Sequence, residues 1–426
     1  METSKLHSLF LESNAVCTDT RKINTNDMFF ALKGANFDGN TYAEKAISSG
    51  AKYVVIDDAA FNTSEQTILV DNALEALQKL ATYHRNFLKT PIIALTGSNG
   101  KTTTKELINV VLSKKYKTTA TKGNLNNHIG VPLTLLSMTE DTEIGIVEMG
   151  ANHQKEIEFL CRIAQPDYGY ITNFGKAHLE GFGGVEGVIK GKSEMYTYLI
   201  SKNKHIFVNA NDPIQVEKTK QATPYTFGNR INETDVLIHF IEAKPFVKCT
   251  YKSLEIESQL IGDYNFNNIA IAITIGQYFK VDSADIKKAI ESYKPTNNRS
   301  QILTKGSTKI ILDAYNANPT SMQAALLNFE KQPGAKIAIL GDMFELGDDA
   351  ETEHQNIVDL ALSLDINQVI FIGENFHQSK TNLPKKLQYK TFEDFKSDFY
   401  YFEIEKETLL IKGSRGMALE RVLDLI

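Results

Sequence analysis

An apolar run, a glycine-containing loop and a helical pattern follow one another in the segment PIIALTGSNGKTTTKE, which begins at Pro91. The β-branched run PIIAL predicts a short buried strand, and the spacing of apolar residues from Lys101 to Ser113 predicts a helix. A loop between a strand and a helix N-terminus presents free backbone N–H groups to an anion. The segment therefore predicts an α/β sheet with a phosphate-binding loop at its edge.

The loop differs from the common phosphate-binding pattern G-x-x-x-x-G-K-[ST]. Gly100, Lys101 and Thr102 fit its end, but Leu95 stands where the first glycine belongs, and Gly97 follows two residues later. We expect Lys101 to reach the β- and γ-phosphates of a nucleoside triphosphate and Thr102 to hold Mg²⁺. The strand before the loop and the helix after it disfavour the alternative, a plain glycine-rich turn with a solvated lysine.

The alternation of strands and helices recurs along all 426 residues and divides the chain into three parts. It predicts a small α/β unit for residues 1–90, a mostly parallel sheet flanked by helices for 91–295, and a Rossmann-like α/β unit for 296–426. Short alternating pieces between Tyr225 and Ile261 predict an antiparallel addition to the central sheet. The predicted fold class is therefore α/β with three domains.

Composition limits the ligands and partners of such a chain. Its net charge of −6 and pI near 5.9 disfavour a general binder of nucleic acid or of anionic membranes. The apolar runs are too short to cross a bilayer, and the N-terminus has no cleavable-signal pattern. Cys17, Cys161 and Cys249 are far apart and form no pair motif, which fits a reducing compartment. We therefore expect a cytoplasmic protein with no nucleic-acid partner and no membrane insertion.

Polar residues follow directly after predicted strands, where ligands bind in open α/β sheets. Glu148 ends the apolar run IGIVEMG, and a carboxylate beside a phosphate loop is expected to bind Mg²⁺ or to orient water. A surface carboxylate at a strand end is the alternative. The position of His178 after the next strand favours a role in the site over a structural one. Lys192, in IKGKSEMY, is on the sequence alone a solvated helix residue.

Amide-rich segments offer hydrogen bonds to a nucleotide or to an amide substrate. The segment GNLNNHIGVP places Asn124, Asn126 and Asn127 close together, although it can equally be a plain turn. Asn268, in DYNFNNIAIA, can contact a base or ribose, or help to cap a helix. Arg299 lies at the junction of the second and third domains and suits a phosphate contact, with a linker charge as the alternative.

Three strands of the third domain end in polar motifs, LDAYNANPTSM, LGDMFELG and IKGSRG. The first motif contains Asp313, Tyr315, Asn316 and Asn318. One such motif means little, but three on neighbouring strands predict a second wall for a ligand.

These motifs, taken with TGSNGKTT, point to a known family. The sequence resembles the Mur ligases of peptidoglycan synthesis, which are three-domain, ATP-dependent amide ligases with this short form of the phosphate loop. GNLNNHIGVPLTLL, VEMGANHQKEIE, AHLEGFG, LDAYNANPTSM and LGDMFELG resemble the branch that adds D-Ala-D-Ala to UDP-N-acetylmuramoyl-tripeptide. The likeness runs from Thr18 to Arg415, and the DNPR-like motif of the meso-diaminopimelate-adding branch is not found in the sequence.

The resemblance implies a set of ATP contacts, with Asn268 near the adenine, Asp313 near the ribose and Arg299 near the γ-phosphate. The implied ATP-binding residues are Gly97, Ser98, Asn99, Gly100, Lys101, Thr102, Thr103, Asn268, Arg299 and Asp313. The implied catalytic residues are Lys101, Glu148, His178 and Lys192.

The resemblance also implies metal and substrate contacts. Thr102 and Glu148 would bind Mg²⁺, and Lys192 matches a lysine that is carbamylated in relatives and then binds a second Mg²⁺ beside His178. The implied substrate-binding residues are Thr20 and Arg21 near the uridine, Asn124, Asn126 and Asn127 in the amide-rich loop, and Tyr315, Asn316 and Asn318 near the dipeptide.

The implied ligands are ATP, two Mg²⁺ ions, UDP-N-acetylmuramoyl-tripeptide and D-Ala-D-Ala, bound by a monomer. A ligase of the same superfamily with another amino-acid acceptor is one alternative, and a P-loop ATPase or kinase is another. A non-catalytic nucleotide-binding module is disfavoured because Lys101, Thr102 and Glu148 are all present. Whether the third residue of the tripeptide is lysine or meso-diaminopimelate stays open.

Overall fold

The structure, a computed structural model, describes residues 1–230, 233–382, 384, 387–399 and 407–426. Its three larger sheets are built mainly from parallel strands with helices packed on them, which confirms the predicted α/β fold class. Among the described residues, no helix combines the length and the apolar character that crossing a membrane requires.

The first sheet has the strand order β1-β2-β5-β6, and all its neighbouring strands are parallel. Its strands are β1 (Val16–Cys17), β2 (Met28–Phe30), β5 (Tyr53–Ile56) and β6 (Thr67–Leu69), and β3 (Lys33–Gly34) and β4 (Phe37–Asp38) form a small hairpin beside it. The helices of this part are α1 (Thr3–Leu11), α2 (Ala43–Ser48) and α3 (Ala73–Leu88).

Helix α3 joins the first two parts of the chain. Its buried residues Leu77 and Leu80 belong to the same hydrophobic cluster as Leu135 and Leu160 of the central part. Burial of shared apolar surface resists relative motion, so the first two parts form one packed unit.

The central sheet has nine strands in the order β15-β14-β13-β12-β11-β10-β7-β9-β8. The parallel strands are β7 (Ile92–Thr96), β8 (Thr118–Ala120), β9 (Ile144–Glu148), β10 (Tyr168–Ile171), β11 (His205–Asn209), β12 (Tyr225–Gly228) and β13 (Val236–Ala243). Strand β14 (Phe246–Tyr251) pairs antiparallel with β13 on one side and with β15 (Leu254–Ile261) on the other. The antiparallel addition is therefore confirmed, except that β12 joins the sheet in parallel.

Helices cover both faces of the central sheet because its strands are apolar on both sides. Along β7, Ile92 and Ala94 belong to one hydrophobic cluster, and Ile93 and Leu95 belong to another. The covering helices are α4 (Lys101–Leu112), α5 (Gly130–Leu136), α6 (Glu156–Ala164), α7 (Leu179–Phe182), α8 (Val185–Ser201), α9 (Pro213–Lys218), α10 (Phe266–Tyr278) and α11 (Ser283–Ser292).

The third sheet has the order β16-β17-β21-β18-β19-β20; among these described strands β16 pairs antiparallel with β17, and the other pairs are parallel. Its strands are β16 (Gln301–Lys305), β17 (Thr308–Asp313), β18 (Lys336–Gly341), β19 (Gln368–Ile372), β20 (Gln388–Tyr389) and β21 (Thr408–Lys412). The accompanying helices are α12 (Pro319–Glu330), α13 (Ala350–Ser363), α14 (Glu374–Gln378) and α15 (Phe392–Asp398). The carboxyl ends of β17, β18 and β21 turn towards those of β7, β9 and β10, so one cavity separates the two sheets.

Candidate active site

A cavity of about 860 Å³ lies between the central and third domains. Most of the residues predicted for the site line it. They are Ser98, Asn99, Gly100, Lys101, Thr102, Thr103, Asn124, Asn126, Asn127, Glu148, His178, Asn268, Arg299, Asp313, Tyr315, Asn316 and Asn318. Gly97, Lys192, Thr20 and Arg21 do not line the cavity.

The phosphate loop has the strand, turn and helix geometry that the sequence predicts. It leaves β7 at Thr96 and enters α4 at Lys101, with Gly100 in a left-handed conformation (φ 78°) at the helix N-cap. Gly97 has φ 140°, and a β-carbon there would lie 2.0 Å from Thr172 Oγ1. Only glycine fits this turn, which aims the first N–H groups of α4 at the cavity.

Lys101 folds back over its own loop. Its Nζ donates to the carbonyl oxygens of Gly97 at 2.7 Å and Ser98 at 3.2 Å. The pKa of Lys101 is lowered to about 8, mainly by burial; Glu148 opposes this shift, and the charge of Arg299 adds to it. A bound anion would favour the charged amine, so this position suits a phosphate group.

Glu148, at the end of β9, is almost fully buried in the cavity wall. Its Oε1 accepts a hydrogen bond from Asn126 Nδ2 at 2.8 Å, and its Oε2 is buried with no hydrogen-bond partner among the described residues. A buried carboxylate oxygen without a partner is costly unless a ligand satisfies it. Thr102 also lines the cavity, and oxygen donors of this kind suit Mg²⁺ when phosphates and waters complete its shell.

The structure buries Lys192 completely in α8, so the solvated position that the sequence alone suggested is wrong. The Nζ of Lys192 donates to the carbonyl oxygen of Ala151 at 2.9 Å and lies 4.8 Å from the centre of the Phe182 ring. Burial lowers the pKa of Lys192 well below its usual value, and the nearby charge of Lys101 adds to the effect. Helical periodicity failed here because α8 is covered on more than one side.

His178 connects the central and third domains. Its Nδ1 lies 2.6 Å from Oε2 of Glu345, which follows β18. Both residues have left-handed backbones, with φ of 54° for His178 and 62° for Glu345, and such conformations in non-glycine residues mark strained positions. The close contact with His178 lowers the pKa of Glu345.

The amide-rich loop forms a turn and also contacts a carboxylate of the cavity wall, and its contact with a substrate stays a prediction. Asn126 holds Glu148, as described above, and its backbone oxygen accepts a hydrogen bond from the Gly150 N–H at 2.7 Å. Asn127 forms a turn, because its Oδ1 accepts hydrogen bonds from the N–H groups of Ile129 and Gly130. Asn124 lines the cavity.

The nucleotide side of the cavity is completed by residues from the central domain, the junction and the third domain. Asn268 Oδ1 accepts a hydrogen bond from Thr104 Oγ1 at 3.0 Å, which fixes this amide against the phosphate loop. The Arg299 guanidinium lies 3.8 Å from the centre of the Tyr315 ring, and its Nε is buried without a hydrogen-bond partner in the part of the chain that the structure describes. Asp313 accepts a hydrogen bond from Lys412 Nζ at 2.5 Å.

The motif NANP touches the phosphate loop directly. Asn318 caps α12, and its Nδ2 donates to Asn99 Oδ1 at 2.7 Å. Asn316 lines the cavity beside Tyr315. The pairing of Asn99 with Asn318 spans 219 positions of sequence, so no local pattern could have indicated it.

Thr20 and Arg21 lie in the first domain, in a short 3₁₀ helix. The Arg21 side chain is highly exposed and pairs with Asp19 at 2.9 Å. The structure therefore does not bring these two residues to the cavity, and their contact with a uridine stays a prediction.

Comparison with known proteins identifies relatives over nearly the whole chain. The family model described as the catalytic domain of the Mur ligase family matches residues 12–85, the Mur ligase middle domain matches 95–276, and the Mur ligase glutamate ligase domain matches 298–415. The UDP-N-acetylmuramoyl-tripeptide–D-alanyl-D-alanine ligase of Bacillus subtilis is 35% identical, with 97% of this chain and 93% of the relative covered. The enzyme of the same name from Rickettsia prowazekii is 33% identical, with 96% and 94% covered.

Solved structures agree with the sequence relatives. MurF from Acinetobacter baumannii superposes with a TM-score of 0.86 at 28% identity, covering 99% of this chain and 97% of that one. MurF ligase from Thermotoga maritima, in complex with ADP, superposes with a TM-score of 0.83 at 25% identity, covering 98% and 97%.

Proposed function

The chain belongs to the Mur ligase family and is an ATP-dependent ligase that adds D-alanyl-D-alanine to UDP-N-acetylmuramoyl-tripeptide in peptidoglycan precursor synthesis, and we propose that the cavity between its central and third domains carries this reaction. One observation supports this location above the others. The phosphate loop of the central domain and the polar strand ends of the third domain line the same cavity. A ligase needs that arrangement because ATP, a carboxylate and an amine must meet at one point.

In this proposal, residues of the phosphate loop and of the junction between the domains bind ATP in a defined orientation. Lys101 leaves the carbonyl groups of its own loop and binds the β- and γ-phosphates, together with the loop residues from Gly97 to Thr103. Asn268 lies against the adenine and Asp313 against the ribose. Arg299 contacts the γ-phosphate, and its Nε, buried with no partner among the described residues, supports that role.

Mg²⁺ is the proposed metal cofactor, held by the hydroxyl of Thr102 and by Glu148. When bound, it offsets the negative charge of the phosphates and of the carboxylate that attacks them. We place a second ion beside His178 and a carbamylated Lys192. The burial of Lys192 supports this, because carbamylation requires the neutral amine and burial favours that form.

In the proposed reaction, the terminal carboxylate of the tripeptide attacks the γ-phosphorus of ATP, the bond to the β-phosphate oxygen breaks, and ADP leaves. The product is an acyl phosphate. The neutral amine of D-Ala-D-Ala attacks its carbonyl carbon, an N–H proton is lost, and inorganic phosphate leaves as the amide forms. Lys101 and the N–H groups of α4 stabilise the charge that develops on the phosphates. The contact of Asn318 with Asn99 helps to exclude water, which would hydrolyse the acyl phosphate.

The remaining predicted residues complete the substrate contacts. We assign Thr20 and Arg21 to the uridine end and the amide-rich loop of Asn124, Asn126 and Asn127 to the peptidyl substrate. Tyr315, Asn316 and Asn318 are assigned to the dipeptide. We propose that the protein acts as a monomer and, since ATP is a co-substrate, that it acts in the cytoplasm.

The test is ADP release from ATP and Mg²⁺ with UDP-N-acetylmuramoyl-tripeptide, with and without D-Ala-D-Ala, and with the product identified by mass. Release that requires both substrates, with the dipeptide added to the product, is the expected result. ADP release that ignores D-Ala-D-Ala and gives no longer peptide would refute the proposal. Running lysine and meso-diaminopimelate tripeptides in parallel would identify the third residue.

A further inference from the structure

One short segment of the central domain makes several contacts with the third domain. This segment, residues 175–180, follows β10 and carries His178. The N–H of Lys176 donates to Thr320 Oγ1 at 2.9 Å, and the N–H of Glu180 donates to the carbonyl oxygen of Glu345 at 3.3 Å. At Gly175, a β-carbon would lie 3.1 Å from Thr320, so the two domains leave little room for a side chain there.

The charged part of this interface is the pair of Lys176 and Glu353. Lys176 Nζ lies 2.5 Å from Glu353 Oε1. The Glu353 side chain, on the first turn of α13, is only 10% exposed, and that of Lys176 is 45% exposed. Such a pair is screened less than one on an open surface, and its carboxylate is costly to leave alone. Lys176 and Glu353 do not line the cavity, so neither is in place to touch the reactants.

The connection between the two domains explains why such a pair matters. The chain passes from α11 to β16 through residues 293–300, and two non-glycine residues there have left-handed backbones, with φ of 55° at Asn298 and 50° at Ser300. Residues in such conformations persist only where surrounding contacts hold them, so the position of the third domain depends on contacts outside this connection. Arg299, which reaches the nucleotide side of the cavity, lies between these two residues.

We propose that Lys176 and Glu353 are positioning residues for the ligation. This inference rests on the function proposed above. Their ion pair holds the third domain against the segment 175–180, and so brings Asn318 and Tyr315 to the phosphate loop with the spacing that acyl transfer needs. The pair acts on the step that needs both domains and not on binding to the loop itself. Loss of the pair therefore lowers the catalytic efficiency with the acceptor more than it lowers the affinity for ADP, to which the third domain contributes the proposed Asp313 contact.

The experiment compares Lys176→Met, Glu353→Gln, Lys176→Glu, Glu353→Lys and the last two combined. We expect each single variant to lower kcat/KM for D-Ala-D-Ala about three- to tenfold, the range of a partly buried ion pair. The combined variant restores most of the loss, because the pair is remade with its charges exchanged. The Kd for ADP should change less than kcat/KM does, because most of the proposed ADP contacts lie in the central domain. Lys204→Met is the matched control, because Lys204 pairs at 2.8 Å with Asp167 inside the central domain at a similar exposure of 40%.

Hydrogen exchange gives a readout that does not depend on turnover. The Glu353→Gln variant leaves the sequence of the segment 175–180 unchanged. In this variant the amides of Lys176 and Glu180 should exchange faster, since their acceptors lie in the third domain. Single variants that keep wild-type kcat/KM, a combined variant no better than the worse single one, or unchanged exchange in Glu353→Gln would overturn the inference. A wild-type protein that makes no ligated product would instead refute the proposed function, while the exchange data would still decide whether the ion pair holds the domains together.

Discussion

The position of Lys101 predicts that nucleotide binding depends on pH in a range where ordinary lysines do not titrate. In the ligand-free protein the pKa of Lys101 is about 8, because burial disfavours its charged form. Phosphate groups beside the amine favour that charged form, so the bound state has a higher pKa. Binding of ADP must therefore take up about half a proton at pH 8 and close to one proton at pH 9.

The size of the pH effect on the Kd for ADP follows from the fraction of the free protein in which the Lys101 amine is charged. At pH 7 a group with a pKa of about 8 is mostly charged, so the Kd for ADP changes little below that pH. At pH 9 only about a tenth of the free protein has the charged amine, so the apparent Kd should be about tenfold weaker than at pH 7. Because the pKa of Lys101 is lowered in the free protein, the affinity for ADP is highest below that pKa and falls as pH rises through it.

Isothermal titration calorimetry with ADP and Mg²⁺ from pH 7 to 9.5, in two buffers of different ionisation enthalpy, measures both the Kd and the proton uptake. Lys101→Met is the control, in which affinity is lower throughout and this part of the pH dependence is absent. A Kd in the wild type that changes less than twofold over this range, with no proton uptake, would refute the reasoning.

Three further predictions follow from other contacts. Asn126→Ala removes the donor to Glu148 Oε1, and the apparent Mg²⁺ affinity in turnover should fall about 10- to 100-fold with ATP affinity little changed, as a Mg²⁺ titration would show. Depletion of CO₂ should lower the activity of the wild type and bicarbonate should restore it, whereas Lys192→Ala should be inactive and indifferent to bicarbonate. His7 and His84 are buried 3.0 Å apart with lowered pKa values, mainly through burial, so the unfolded chain binds more protons below pH 6.5. The free energy of unfolding should therefore fall as pH drops from 7.5 to 5 in urea titrations, and His7→Phe should reduce that fall.

The parts of the fold with strong local patterns could be predicted from the sequence. The strand PIIAL and the helix after GKT are β7 and α4 in the structure, because burial on two faces and helical spacing both leave a pattern within a few residues. The parallel pairing of β12 with β11 and β13 left no such pattern, since short alternating pieces run through the whole segment from Tyr225 to Ile261 and do not show the direction of pairing. The packing of α3 on the central domain was also missed, because an amphipathic helix does not indicate which neighbour covers its apolar face.

In the candidate site too, residues with a local signal could be predicted from the sequence, whereas their distant partners could not. The carboxyl ends of parallel strands meet at one edge, and this rule was sufficient to select Glu148, His178 and Asp313. The partners that fix these groups come from elsewhere in the chain, such as Asn126 for Glu148 and Lys412 for Asp313, which lies 99 positions away. Pairing at that distance depends on how the sheets pack, and a single sequence contains no direct record of it.

The geometry also indicates how ATP can prepare the site for its second substrate. The central domain supplies the phosphate loop, whereas Arg299 and Asp313 come from the junction and the third domain. A nucleotide that contacts both sets gains affinity only when the domains are close together, so part of its binding energy stabilises that arrangement. Once phosphate and ADP have formed, the link through the γ-phosphate is lost and the arrangement is less stable. The same contacts that complete the acceptor site would therefore weaken when the reaction ends, which allows the product to leave.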